Sequence, residues 1–191
     1  MTLNDNYQGR RLVLLSGGID SSTLLTWQAT SGNHPEALFV DHGQPSAANE
    51  FRAARNIARR AGVGLAKYVV RGPTVLGGQE IPGRNALLAT LGLWHLSPSV
   101  GVVFIGIHAR TPYPDCSAAF VDSQQALFDV YARGTIVFSA PFVDWSKGDI
   151  STFAHQLGLS LADTYSCELG LKQPCGACAS CADLEQLRAG S

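Results

Sequence analysis

Five short apolar runs, residues 12–15, 37–40, 65–70, 102–107 and 136–139, alternate with helical patterns over 21–30, 47–61, 85–96, 118–132 and 147–157. Largely apolar strands alternating with helices argue for a sheet covered on both faces, and connections long enough to hold a helix join parallel neighbours. The expected fold class is therefore α/β, a doubly wound five-stranded parallel sheet between two helical layers. A chain of 191 residues supports one such domain with a proper core and leaves little over. Ser146 and Asp149 make an S-x-x-D capping box that marks the start of the last long helix. In open sheets of this kind ligands gather beyond the carboxyl ends of the strands, where strand order reverses. Segments 16–22, 41–44, 72–84, 108–115 and 144–147 lie at such ends, and function is expected there.

The first of these segments is the most informative. Ser16-Gly17-Gly18-Ile19-Asp20-Ser21-Ser22 follows the first apolar run and opens a helical pattern. A strand that enters a Gly-Gly turn and then a hydroxyl-rich helix start leaves several N–H groups converging where the helix dipole favours an anion. Phosphate suits that spot, and Asp20 offers a carboxylate for a divalent cation. The plainer reading is an ordinary strand-turn-helix in which Gly17 and Gly18 serve only backbone geometry. The segment lacks the Lys-Ser or Lys-Thr ending of a Walker loop and the third glycine of a dinucleotide fingerprint.

Charge narrows the partners. The formal net charge is −1 and the isoelectric point is near 6.5, so no broad basic field exists to hold a polynucleotide. A small-molecule substrate is expected, with no stable nucleic-acid binding; Arg52, Arg55, Arg59 and Arg60 read as a solvated helix face rather than a binding patch. No apolar run approaches the ~20 residues that span a bilayer, and the N-terminus lacks a signal-peptide pattern. The expectation is a cytoplasmic protein without membrane association.

Four of the five cysteines crowd the C-terminal end. Cys167, Cys175, Cys178 and Cys181, the last three at C-x2-C spacings, are set among Gly170, Pro174 and Gly176, which supply turns. Four thiolates suit one tetrahedral zinc, against a redox dithiol or an iron–sulfur cluster. With every position filled by sulfur the ion's role is structural, and such binding is worth roughly 10 kcal/mol or more to a segment with little core. The division expected is 1–160 for the α/β domain and 161–191 for the metal element and tail. Cys116 reads as a small buried apolar residue, and His42 and His108 as structural or solvent-facing.

Taken in order, the motifs resemble the 7-cyano-7-deazaguanine synthase (QueC) family of PP-loop ATP pyrophosphatases. Ser16 to Thr23 is similar to that family's pyrophosphate loop, with Ser22 in place of its usual threonine. Asp41-His42-Gly43-Gln44 resembles D-Y-G-Q, Pro82-Gly83-Arg84-Asn85 P-G-R-N, and Tyr113-Pro114-Asp115-Cys116 Y-P-D-C. Pro141 to Lys147 is similar to P-L-I-D-L-T-K, and Thr164-Tyr165-Ser166-Cys167 opens the metal element at the family's spacing.

The resemblance implies a Rossmann-like sheet of the adenine nucleotide alpha hydrolase (HUP) type. It implies an enzyme that adenylates 7-carboxy-7-deazaguanine with ATP and magnesium, releases pyrophosphate, and passes the acyl group to ammonia to form an amide and then a nitrile. It places ATP on Leu15, Ser16, Gly17, Gly18, Ile19, Asp20, Ser21, Ser22, Thr23, Asp41, Gly43 and Gln44, with Asp20, Ser21, Arg84 and Lys147 in catalysis. Arg84, Asn85, Tyr113, Asp115 and Asp144 are the implied substrate residues. Asp115 and Asp144 fit a base edge, an orienting role beside Lys147, or a turn cap. Lys147 and Arg84 have plainer readings as a solvated first-turn lysine and a surface residue at a helix start. A homodimer is implied as well.

Three departures bear on the acceptor. The stretch 72–81 is shorter than the family's insert, 106–116 is trimmed, and the Leu-Arg after the last cysteine is displaced to Leu187-Arg188. A second reading is therefore a QueC-like paralogue, as in antiviral systems, that joins the deazaguanine acyl group to an amine of a protein partner. A third, from another class, is a noncatalytic nucleotide-binding module.

Overall fold

The computed structural model describes residues 3, 6–72, 81–108 and 111–189. Residues 73–80 and 109–110 of the two shortened stretches lie outside the described residues. Five parallel strands, β1 (Arg10–Leu14), β2 (Glu36–Asp41), β3 (Leu65–Val69), β4 (Gly101–Phe104) and β5 (Ile136–Ser139), form one sheet in the order β3-β2-β1-β4-β5. The order reverses between β1 and β4, so the crevice beyond their carboxyl ends is where such a sheet binds ligands.

Strand alternation builds the two cores. Val13, Leu15, Ala37, Phe39, Val102 and Phe104 face the layer that holds α1 (Ile19–Thr30), α2 (Ala47–Arg60) and α5 (Lys147–Gln156). Leu12, Leu14, Leu38, Val40, Val103 and Ile105 face the opposite layer, with α3 (Arg84–Leu96) and α4 (Ala118–Ala132). Both faces of β1 are closed to water, and α1, beneath the middle of the sheet, is buried over most of its circumference. α2 is amphipathic: Ala53, Ala54, Ile57 and Ala58 are buried while Arg52, Arg55, Arg59 and Arg60 are exposed. Arg52 bonds its own helix at Asn49 and Arg60 pairs with Asp163, which is the solvated face expected.

Boundaries differ where charge or lost neighbours decide. β1 starts at Arg10, two residues before the apolar run, because Arg10 and Arg11 pair with Gly101 and Val102 while their guanidinium groups bond Glu36 and Gln28. β4 ends at Phe104, not at residue 107. Its neighbours β1 and β5 stop there and only Ile105 N–H reaches Ser139 O, although Ile105 and Ile107 stay buried. The capping box is present: Ser146 Oγ accepts from Asp149 N–H, and Asp149 accepts from Ser146 N–H. An eleven-residue helix that the sequence reading left out, α6 (Ala179–Ala189), follows the third clustered cysteine. Among the described residues no helix is long and apolar enough to cross a membrane.

Gly106, just past β4, lets the sheet approach the start of α1. A Cβ there would lie 2.8 Å from Ser21 N and 2.9 Å from Asp20 C, both backbone atoms that cannot swing aside. Gly106→Ala is expected to destabilise the fold by about 2 kcal/mol or more, by forced backbone displacement in a packed interior. Urea denaturation checks this, and an unchanged midpoint would mean the contact carries no strain.

Candidate active site

The turn after β1 is shaped by what Gly17 lacks. Its φ of +86° belongs to the left-handed region, and a Cβ on it would meet Glu50 O at 2.5 Å and Ala54 N at 2.9 Å. Gly18 is the N-cap of α1 in extended conformation, with no side-chain cap on the helix N–H groups behind it. Those donors, at the positive end of a twelve-residue helix, suit an anion. Ser16 and Ser21 close the turn from within: their hydroxyls lie 3.0 Å apart, Ser16 N–H donates to Ser21 Oγ at 3.2 Å, and Gly18 N–H donates to Ser16 Oγ at 3.3 Å.

Asp20, in the first turn of α1, accepts a 2.6 Å bond from Lys147 Nζ on Oδ2. Its Oδ1 is buried and has no hydrogen-bond partner among the described residues. A carboxylate oxygen is an acceptor only, so an unfilled buried one suits a cation or a donor brought by a ligand. Lys147 is the first residue after the Ser146 cap, and the capping box aims it across to α1. It is paired and three-quarters buried, which sets aside the solvated-lysine reading.

Around this turn lies a cavity of about 360 Å³, lined from all five strand-end segments. Leu15, Ser16, Gly18, Ile19, Asp20 and Ser21 form its floor; Gln44, Arg84, Asn85, Tyr113, Asp115 and Lys147 also line it, as do His42, His108 and Cys116. Gly17, Ser22, Thr23, Asp41, Gly43 and Asp144 are not among the lining residues. Ser22 and Thr23 turn into the protein, where Thr23 Oγ1 donates back to Ile19 O at 2.7 Å. Asp41 instead bonds Lys67 at 3.1 Å and Gly43 N–H at 3.2 Å. Burial opposes its ionisation, but those two partners hold its carboxyl below the usual range. Asp115 caps α3 from 30 residues away, its Oδ2 taking Asn85 N–H at 3.4 Å and its carbonyl taking Asn85 Nδ2 at 3.1 Å. Asp20, not Asp115, therefore holds Lys147.

Sequence reasoning passed over two contributors. Glu50, in the first turn of α2, sends its carboxylate into the cavity wall, where it accepts from Gln44 Nε2 at 2.8 Å and Ser46 Oγ at 2.7 Å. Burial pushes its carboxyl up despite those bonds, and burial followed by the Arg84 charge pushes the His42 imidazole down. The second contributor is the C-terminal segment: Tyr165, Ser166, Glu168, Asp183, Leu184 and Leu187 line the same cavity. The signal was present, since Cys181, Leu184 and Leu187 recur at three-residue spacing. Cys116 is half-buried at the cavity wall, not fully buried as expected, and burial raises its thiol.

The sulfurs of Cys167, Cys175, Cys178 and Cys181 all lie within 4.8 Å of one another, and none is in a disulfide. Two thiolates on a tetrahedral ion with ~2.3 Å bonds stand ~3.8 Å apart; the Cys175 and Cys181 sulfurs are 3.8 Å apart. Ala177 and Cys178 N–H groups point at Cys175 Sγ at 3.4 and 3.3 Å and bring its thiol down to about 6. Burial sends the Cys181 thiol up to about 12. The donor set fits a closed four-sulfur metal centre.

Two outcomes are expected. Elemental analysis of protein purified without chelator should find one zinc per chain, and Cys181→Ser should abolish it; a metal-free wild type would refute the assignment. Glu50 binds its proton more tightly folded than unfolded, so its contribution to stability is fully present below the ordinary value of 4.5 and is lost as pH rises through the raised one. Wild type should therefore lose ground to Glu50→Gln in urea denaturation as pH rises above the ordinary carboxyl value of 4.5; parallel curves would refute the shift.

Known proteins resemble the chain over nearly its whole length. The family model described as queuosine biosynthesis protein QueC matches residues 10–75 and 71–187. A protein of Haloarcula marismortui named 7-cyano-7-deazaguanine synthase is 32% identical over 91% of this chain and 87% of its own length. One of Synechococcus sp. with the same name is 33% identical over 89% and 90%. Among solved structures, a predicted subunit of tRNA methyltransferase from Methanocaldococcus jannaschii superposes with a TM-score of 0.50, covering 87% of this chain and all of that one. At 14% identity that likeness speaks for the α/β fold alone. The chain belongs to the QueC family.

Proposed function

We propose that this chain is an ATP-dependent 7-cyano-7-deazaguanine synthase, acting on 7-carboxy-7-deazaguanine and ammonia. The observation that carries the reading is the pairing of Asp20 with Lys147 beside the uncapped N-terminus of α1, with Asp20 Oδ1 left free. Donors, a lysine ammonium and a buried, unpaired carboxylate oxygen thus meet beside one cavity at the sheet's switch point, an arrangement suited to a polyphosphate.

In the first half-reaction a carboxylate oxygen attacks the α-phosphorus of ATP and the bond to the β-phosphate bridging oxygen breaks. The N–H groups at the start of α1, with Ser16, Ser21 and Lys147, neutralise the departing pyrophosphate. Asp20 Oδ1 would hold magnesium, which when bound neutralises charge on the phosphate oxygens. Ammonia then adds to the acyl carbon and AMP leaves, giving the amide. The amide oxygen is then adenylated by a second ATP with release of pyrophosphate, and loss of AMP together with both protons of the amide nitrogen yields the nitrile. Arg84 and Asn85, at the start of α3, are the proposed contacts for the substrate's own carboxylate and base, with Tyr113 beside them. Positioning and charge neutralisation carry most of the rate, since no covalent enzyme intermediate is needed.

The shortened stretches 72–81 and 106–116 favour a second reading, in which the acceptor is an amine of a protein partner instead of ammonia. Incubation with ATP, 7-carboxy-7-deazaguanine and ammonium, followed by mass spectrometry, separates the two. Free nitrile is expected; an amide found only on a polypeptide would overturn the first reading, and nucleotide binding without pyrophosphate release would overturn both. Asp20→Asn should reduce pyrophosphate release by about three orders of magnitude, within the range for loss of an electrostatic transition-state partner. Its zinc content should stay normal, and retained turnover would remove Asp20 from the mechanism.

A further inference from the structure

We propose that the four-cysteine hairpin does more than fold its own segment: it positions the phosphate loop, with Asn49 and Tyr165 as the positioning residues. Gly17 is held from two sides. On one side α2 presses its backbone, Glu50 O and Ala54 N, against the space where a side chain would be. On the other, Tyr165 N–H donates to Gly17 O at 2.9 Å. Both sides lead to the same place. Tyr165 Oη donates to Leu171 O at 2.7 Å, and Asn49 Nδ2, one residue before Glu50, donates to Gly170 O at 2.8 Å. Gly170 itself has φ +69°, and a Cβ on it would stand 2.2 Å from Pro45 O, so the hairpin backbone abuts the turn that leads into α2. The path Gly17, Tyr165, Leu171, Gly170, Asn49, α2 and back to Gly17 is closed by one backbone hydrogen bond, two side-chain hydrogen bonds to backbone carbonyls, and the close approach of α2 to Gly17.

Residues 170 and 171 lie between Cys167 and Cys175, two of the four clustered cysteines. A cation that gathers the four sulfurs therefore fixes the two carbonyls that Asn49 and Tyr165 read, and through them both sides of the glycine turn. Asn49 does not line the cavity, so its effect on a ligand there is indirect. This inference rests on the nucleotide reading only for its ligand; the mechanical link stands apart from it.

The test uses the full chain with its metal content measured. Asn49→Ala should keep one metal per chain and native circular dichroism. Without nucleotide, it should raise amide hydrogen exchange at Tyr165, Gly18 and Ser22, whose N–H groups are bonded to Gly17 O, Ser16 Oγ and Gly18 O, by about fivefold, the scale of one net hydrogen bond. It should also weaken magnesium-ATP binding by roughly the same factor. Tyr165→Phe, which loses only the hydroxyl, should act alike on exchange, and chelation of the wild type should exceed either variant. Unchanged exchange in both variants, with metal retained, would overturn the proposal. If wild type binds neither ATP nor pyrophosphate, the nucleotide reading fails while the exchange measurement still decides the link.

Discussion

The approach of three backbones at the start of α1 is the constraint on which the rest of the site depends. Gly17 admits α2 to within a distance that no Cβ permits, and Gly106 does the same for the end of β4. Between them the first turn of α1 is clamped, so its unpaired N–H groups point in one fixed direction at the switch between β1 and β4. Donors frozen in this way need little reorganisation when charge arrives, which makes them more effective than the same groups in water. The hydroxyls of Ser16 and Ser21 and the backbone at Ser16 and Gly18 add an internal lattice that resists collapse of the turn.

Charge in the cavity is arranged unevenly around that turn. Lys147 meets Asp20 on one oxygen only, which leaves a buried acceptor beside a cation instead of a closed ion pair. Glu50 differs: both its oxygens are taken by Gln44 and Ser46, and burial favours its protonated form. The two carboxylates thus suit different work, Asp20 toward a ligand and Glu50 toward holding the turn after β2.

Much of this was legible in residue order because local signals and tertiary structure agree here. The apolar runs mark the strands, the Ser146–Asp149 box marks α5, and the Gly-Gly turn marks the head of α1. The starts of β1 and the end of β4 were not legible, since one depends on guanidinium partners distant in sequence and the other on where neighbouring strands stop. Direction was also hidden. Thr23 and Ser22 belong to the motif by sequence, yet a helix turns them away from the cavity while Asp20 and Ser21 face it. A linear motif names a segment; the 3.6-residue period decides which of its side chains reach the ligand.

Glu50 and the wall from Tyr165 to Leu187 were illegible for a related reason. Glu50 sits among arginines on an amphipathic helix and looks like surface charge until Gln44 and Ser46 are brought to it by the β2 turn. The cysteines announced a metal staple, and that reading concealed the helix they begin. Once α6 is in place, Asp183, Leu184 and Leu187 share a cavity with Ser16 and Asp20, far earlier in the chain. A staple at the far end of the chain therefore completes the chamber that its beginning opens. The stability of that hairpin and the shape of the chamber cannot be separated, because the carbonyls at 170 and 171 serve both.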